Sequence, residues 1–260
     1  MIILGSILFF FFGASIGSFV QVVSTRLYIA PIMNARSKCL SCGEALRVYD
    51  LFPVLSYLFL GGKCRYCKSY YGISALIIEL IYGSVFVLLA HLFLLGQTSV
   101  IAAFVWFVYY TLLFITLGVI ALYDKEHSCI PTGYLIGYIL LTMAMFVKNY
   151  INDPSLVTLT TPLIISLPFL ILWVISRKNL GFGDIVMFFG VGAFFGLAQS
   201  IAVFLISIWT GAIFGIIVYF LTPKNERKNM TIPFVPFIVF AFFFVLFTDI
   251  NIFSIASLFA

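Results

Sequence analysis

Long apolar runs separated by short polar stretches fill most of this chain. Runs long enough to cross a bilayer as helices lie near residues 2–24, 73–95, 100–123, 132–150, 157–176, 185–199, 201–221 and 232–249. They predict an all-α polytopic membrane protein with about eight transmembrane helices. The sixth run is short, and only Ala198-Gln199-Ser200 separates it from the seventh, so a break is expected there. Four runs carry a Gly-x-x-x-Gly pair: Gly13/Gly17, Gly133/Gly137, Gly192/Gly196 and Gly211/Gly215. This spacing puts small residues on one helix face and allows close backbone contact, so the pairs predict packing rather than chemistry. Pro233 and Pro236 suit the first turn of the last helix. The sequence divides into a first transmembrane helix (1–24), a cytoplasmic loop with four cysteines (25–72) and a helical bundle (73–260).

Composition agrees with the runs. Hydrophobic residues make up 63% of the 260 and charged residues only 9%, more apolar surface than a soluble domain can bury. Met1–Val23 has no basic n-region and is longer than the about 7–15 apolar residues of a signal peptide, so it is expected to remain as the first span. The net charge of +5 reflects membrane orientation rather than a nucleic-acid partner. With an outside N-terminus, the inner loops hold Arg26, Arg36, Lys38, Arg47, Lys63, Arg65, Lys68, Lys125, Arg177, Lys178, Lys224, Arg227 and Lys228. That leaves Lys148 alone, of 14 basic residues, on the outer side. This asymmetry supports both the helix count and the orientation expected of a multi-pass plasma-membrane protein.

The loop contains Cys39-Leu-Ser-Cys42 and Cys64-Arg-Tyr-Cys67, two CxxC pairs. Four thiolates at this spacing predict a closed, structural zinc site in a zinc-ribbon-like loop, and a reducing cytoplasm argues against disulfides. Lys38, Lys63, Arg65 and Lys68 are placed to offset the thiolate charge. Cys129 reads as an ordinary small buried residue.

The stretch Leu180-Gly181-Phe182-Gly183-Asp184-Ile185 sets a carboxylate between a glycine pair and a long apolar run. Asp124 has a comparable setting at the end of 104–123. A carboxylate at a membrane edge is costly unless compensated, which makes both candidates for function. Both are predicted at the cytoplasmic face. Two Asp side chains held close together cannot both ionise cheaply, so such a pair shares a proton. Its ionised member can take a proton from water while the neutral member hydrogen-bonds a scissile carbonyl. The blander alternatives are that Asp124 belongs to a solvated loop and that Asp184 caps the sixth helix. Glu79, inside the second run, is expected to pair with a basic group of the loop or with helix-end amides. His91 and His127 are given no role.

The chain resembles the type IV prepilin peptidases, bacterial membrane aspartyl proteases. The likeness runs through Gly17-Ser18-Phe19, Val22-Val23, Arg26-Leu27, the Cys39/Cys42 pair, Pro53-Val54-Leu55-Ser56-Tyr57-Leu58 and Gly62-Lys63-Cys64-Arg65-Tyr66-Cys67. It continues through Ile73-Ser74, Glu79-Leu80, Asp124, Ile130-Pro131, Gly181-Phe182-Gly183-Asp184 and Pro233-Phe234-Val235-Pro236. Val186, Glu126 and Thr132 depart from the residues common in that family. The resemblance implies that Asp124 and Asp184 are catalytic and that Cys39, Cys42, Cys64 and Cys67 hold zinc; Gly181 and Gly183, which carry no side chain and let another backbone come close, are the expected substrate contacts. The implied partners are prepilin or pseudopilin precursors of a pilus, competence or secretion system. Each would carry a short basic leader ending in Gly before a hydrophobic helix. Glu44 or Glu126 would read the leader's basic residues. Many members also methylate the new N-terminus from S-adenosylmethionine, a cofactor expected here only if that activity is present. Two other readings compete: a presenilin-type intramembrane protease, from Tyr123-Asp124 with Gly181 to Asp184, and a cation or proton transporter using the Asp pair as a relay.

Overall fold

The structure, a computed structural model, describes residues 2–28, 37–39, 41–94, 99–175, 181–223, 227 and 232–251. Nine α-helices follow one another among these residues. They are α1 (Ile2–Arg26), α2 (Leu55–Leu60), α3 (Ser74–Leu89), α4 (Val100–His127), α5 (Thr132–Asn152), α6 (Leu156–Ile175), α7 (Phe182–Phe194), α8 (Leu197–Leu221) and α9 (Val235–Thr248). The described residues contain no strand; two isolated antiparallel bridges lie in the four-Cys loop. The predicted inner-loop residues Arg36, Arg177, Lys178, Lys224 and Lys228, and Leu180 of the glycine motif, lie outside the described residues.

Each of the eight predicted runs has become a helix, but not all are of spanning length. Six are long and apolar enough to cross a membrane: Leu4–Arg26, Ser74–Leu92, Val100–His127, Thr132–Asn152, Leu156–Ile175 and Leu197–Leu221. Helices α7 and α9 have 13 and 14 residues, about 20 Å of rise against about 30 Å of hydrocarbon. The break between the sixth and seventh runs comes earlier than expected. Phe195 is extended and Gly196 is the N-cap of α8, so Ala198-Gln199-Ser200 falls within the first turn of that helix. The polar residues there have local partners: Ser200 donates to the Val191 carbonyl at 3.3 Å. Helix α4 also outruns its predicted end at residue 123, because Lys125 and His127 supply a polar last turn with basic residues at the negative end of the helix.

The chain forms two compact units, Met1–Ile115 and Thr116–Ala260, divided within α4. In the first unit α1 packs along α3. A Cβ on Gly13 would lie 2.6 Å from the Tyr82 carbonyl oxygen, and one on Gly17 would lie 2.8 Å from Tyr82 Cβ, so this Gly-x-x-x-Gly pair packs as its spacing predicts. Tyr82 donates to the Phe114 carbonyl at 3.3 Å, which satisfies a buried hydroxyl.

In the second unit α7 is the buried centre, held between α5 and α6. Its Gly190 abuts the Tyr138 ring, whose hydroxyl donates to the Met187 carbonyl at 3.0 Å. Phe169 stacks on Phe188 at 4.1 Å between ring centres. The outer faces of α6 and α8, including Leu163, Leu167, Ile171, Ile213 and Phe220, are exposed and apolar, as a lipid-facing surface must be. Only some of the remaining glycine pairs pack. Gly192 is pressed against α6, whereas its predicted partner Gly196 belongs to the next helix and has open space around it, and Gly133 is exposed. A Cβ on Gly192 would sit 2.7 Å from Pro162 Cα and 2.9 Å from the Thr161 oxygen, both backbone atoms that cannot step aside. Gly192→Ala is therefore expected to lower stability by about 1–3 kcal/mol. A lower unfolding temperature in detergent would be the readout, with Gly196→Ala nearly silent beside it.

Candidate active site

Asp124 and Asp184 both belong to the second unit and reach one cavity of about 780 Å³. Asp124 is in the last turns of α4, buried at 6% exposure, and does not lie in a solvated loop. One of its oxygens, Oδ2, accepts the Val235 N–H at 3.3 Å. Val235 is the first residue of α9, so a helix N-terminus with its positive dipole end meets this carboxylate. Pro236 follows at the second position, where a missing N–H costs the helix nothing.

Asp184 is the third residue of α7, with Gly181 as N-cap. It makes no side-chain cap, so its carboxylate is not consumed by its own helix. Its backbone N–H donates to the Gly181 carbonyl at 3.2 Å, and a Cβ on Gly181 would stand 3.4 Å from Asp184 Oδ2. The absent side chain at Gly181 keeps that oxygen open. Gly183 closes the opposite side: a Cβ there would be 2.6 Å from Ile130 Cδ1. The two aspartates are near enough for the charge of one to be felt by the other.

Val186, Thr132 and Phe234 line the same cavity, together with Ser128 and Cys129. Two of the three positions that depart from the common pattern, Val186 and Thr132, thus line the cavity that both carboxylates reach. Cys129 corrects an expectation: it is exposed rather than buried, because the turn after α4 faces outward, with Ser128 at a left-handed φ of 52°. Sequence reasoning missed the Val235 amide. The pair Pro233 and Pro236, which fixes where α9 begins, was the available signal.

In the first unit the two CxxC pairs form matched knuckles. Cys39 N–H donates to the Glu44 carbonyl at 2.9 Å and Gly43 N–H to the Cys39 carbonyl at 2.8 Å. Cys64 N–H and Lys68 N–H repeat the pattern with Ser69 and Cys64 at 2.9 and 3.0 Å. The four Sγ atoms lie within 4.8 Å of one another and could hold a metal ion. Cys39 and Cys67 Sγ are 3.8 Å apart, about the separation that two sulfurs take at about 2.3 Å from a tetrahedral zinc. The four cysteines are free thiols, not disulfides. Backbone N–H groups of Cys42 and Ser41 pull the Cys39 thiol down to about 6. An amide N–H from Glu44 favours the Cys42 thiolate too, but burial and the neighbouring thiols hold Cys42 at about 11.

The knuckles carry different residues at their left-handed position. Gly43 and Lys68 are equivalent and both adopt left-handed backbone, with φ of 73° and 61°. Only glycine takes this conformation without cost, so Lys68→Gly is expected to stabilise the loop by about 1 kcal/mol, read as slower proteolysis of the loop.

Arg65 was expected to offset the thiolates. Its Nε instead pairs with Asp50 Oδ1 at 2.6 Å, because a nearly buried carboxylate needs a compensating cation. Burial would raise the Asp50 carboxyl, but Arg65 and the Arg47 N–H outweigh it and hold it low. Asp50 carried no recognisable pattern in the sequence.

Glu79 is buried on α3 and accepts the Val54 N–H at 2.7 Å. Val54 precedes α2, so of the two partners expected for Glu79 the helix-end amide is the one found among the described residues. His91 hydrogen-bonds Ser6 at 3.2 Å, and His127 stacks on Tyr123.

Two family profiles match the chain: the bacterial peptidase A24 N-terminal domain over residues 11–93 and the type IV leader peptidase family over residues 111–216. Among similar proteins is a prepilin leader peptidase/N-methyltransferase of Vibrio cholerae, 29% identical, covering 93% of this chain and 96% of the relative. Proteins of the same name from Pseudomonas aeruginosa (28% identical; 79% of this chain and 69% of the relative) and Aeromonas salmonicida (26%; 90% and 87%) also match. No solved structure matches. The two adjoining profiles, and relatives aligned over nearly the whole chain, place it in the type IV leader peptidase family.

Proposed function

We propose that this protein is a membrane aspartyl endopeptidase that removes the leader of type IV prepilin-like precursors, with Asp124 and Asp184 as its catalytic pair. The observation that carries the assignment is the opening of both carboxylates into one cavity, neither consumed by a salt bridge among the described residues. One member of the pair is ionised and takes a proton from water. The resulting hydroxide attacks the scissile carbonyl, and the neutral member donates its proton to the carbonyl oxygen. Collapse of the tetrahedral species breaks the C–N bond, and the leaving amine regains a proton from the pair. The protonation states belong to the pair rather than to either residue.

The precursor's apolar helix would remain in the bilayer while its basic leader protrudes on the cytoplasmic side, the side that the distribution of Lys and Arg favours for the cavity. Gly181 leaves room for an extended substrate backbone beside Asp184. We assign zinc to the four-Cys cage, where Cys39, Cys42, Cys64 and Cys67 would be its ligands. Zinc would fold the loop and leave no open position for chemistry. We extend the proposal to N-methylation of the new amino terminus, the second activity in the relatives' names. A transporter would need its carboxylates along a polar path through the bilayer, and the apolar linings of α7 and α9 offer little support for that.

The test is cleavage of a purified precursor, with mass spectrometry locating the cut. The expected cut falls after the leader's terminal Gly, just before the apolar helix. A cut inside that helix would favour the presenilin-type reading.

A further inference from the structure

The first unit holds a second cavity, of about 400 Å³, apart from the peptidase chemistry and within the about 300–1,000 Å³ common for small-molecule sites. Glu79 lines it and is 8% exposed. Its carboxylate is hydrogen-bonded by the Val54 N–H at 2.7 Å and by Ser18. Among the described residues no basic side chain pairs with it. A buried carboxylate without a counter-cation is costly, and a cationic ligand removes that cost.

The other walls suit a cation as well. Tyr57, Tyr70 and Tyr71 line the cavity, with Tyr57 and Tyr71 edge to face at 6.0 Å and the hydroxyls of Tyr57 and Tyr70 3.2 Å apart. Tyrosine faces beside a carboxylate attract methylated cations, whose charge is spread over C–H groups that ring faces can contact. Arg65 also lines the space but is committed to Asp50, which leaves Lys38 as a cation for a carboxylate on the same ligand.

The backbone beside Glu79 is strained. Val54, a β-branched residue, has φ 63° and ψ −51°, and Leu55 N–H donates to the Pro53 carbonyl at 2.6 Å, the rare form of the γ-turn. The turn aims the Val54 amide at Glu79, and such strain persists where surrounding structure enforces it.

We propose that this cavity binds the sulfonium methyl donor, with Glu79 as its counter-charge, Tyr57 and Tyr71 against its methylated sulfur, and Lys38 toward its amino-acid carboxylate. The inference rests on the N-methylation reading above. It also accounts for release of the spent donor: the thioether product has lost the positive charge on sulfur, and with it the attraction to Glu79.

The test is binding of S-adenosylmethionine and S-adenosylhomocysteine to the full-length, metal-loaded protein in detergent, by calorimetry, with leader cleavage measured on the same wild-type preparation. Glu79→Gln keeps the shape and an acceptor for the Val54 amide. It should weaken S-adenosylmethionine binding at least about tenfold, about 1.4 kcal/mol, and S-adenosylhomocysteine less than about threefold. Should that variant not fold, Tyr71→Leu should weaken the sulfonium about fivefold more than the thioether. Wild-type protein that cleaves precursor but binds no S-adenosylmethionine would overturn the inference and leave the peptidase assignment standing. Equal loss of both ligands in Glu79→Gln would overturn it as well, since that is what a purely structural role gives.

Discussion

Asp124→Asn and Asp184→Asn are each expected to reduce leader cleavage by about 10²–10⁴-fold or more, with the protein still present in the membrane at its normal level. An asparagine side chain has the shape of aspartate but can neither take a proton from water nor share one across the pair. The fold should tolerate the change. The amide replacing the Asp124 carboxylate can still accept the Val235 N–H through its carbonyl oxygen, and Asp184 makes no cap that α7 depends on. Exchanging a buried carboxylate for a neutral amide also lightens the desolvation burden. The measurement is the single-turnover rate on a purified precursor, with abundance and unfolding temperature followed in parallel. Near-normal turnover by either variant would remove the aspartyl mechanism.

Cys64→Ser is expected to abolish metal retention and unfold the four-Cys loop. Cys64 is the buried member of the cage, at 3% exposure, so a replacement serine would be an enclosed hydroxyl with no thiolate for the metal. A closed structural zinc site contributes about 10–16 kcal/mol of apparent binding energy, far more than the two isolated bridges of this loop can replace. Elemental analysis should find about one zinc per wild-type chain and close to none in the variant. Protease should then cut the variant within the loop, between the first CxxC pair and Tyr71, and leave the wild-type loop intact. A chelator strong enough to strip the metal should reproduce the cleavage pattern. Retention of zinc and protease resistance by Cys64→Ser would show that the loop is held in another way.

Much of this was written in the sequence, because bilayer and metal chemistry both impose simple patterns. Apolar runs marked the helices, CxxC spacing marked the cage, and the charged groups at the ends of apolar runs marked Asp124 and Asp184. What escaped depended on contacts between distant segments. The Val235 amide meets Asp124 across 111 residues, and a backbone N–H has no letter in a sequence. Asp50 and Arg65 are 15 residues apart in a loop with no period to read. Cys129 misled because cysteine is usually buried, and only the turn after α4 turns it outward. Helix ends were the least legible. The seam at Gly196 was hidden because Phe195 and Leu197 beside it are as apolar as a span, so hydropathy shows no gap where the backbone turns.

The pH dependence of kcat/KM for cleavage of a soluble precursor peptide, from about pH 4 to about pH 10, tests the shared proton most directly. The rate should fall at low pH, where both carboxyls are protonated and none can take a proton from water. It should fall again at high pH, where both are ionised and none can donate to the carbonyl. A bell-shaped profile unaffected by alkylation of Cys129 is the predicted result. A rate that only rises with pH and is lost on alkylation of Cys129, which lines the same cavity, would contradict the aspartyl pair and point to a thiolate.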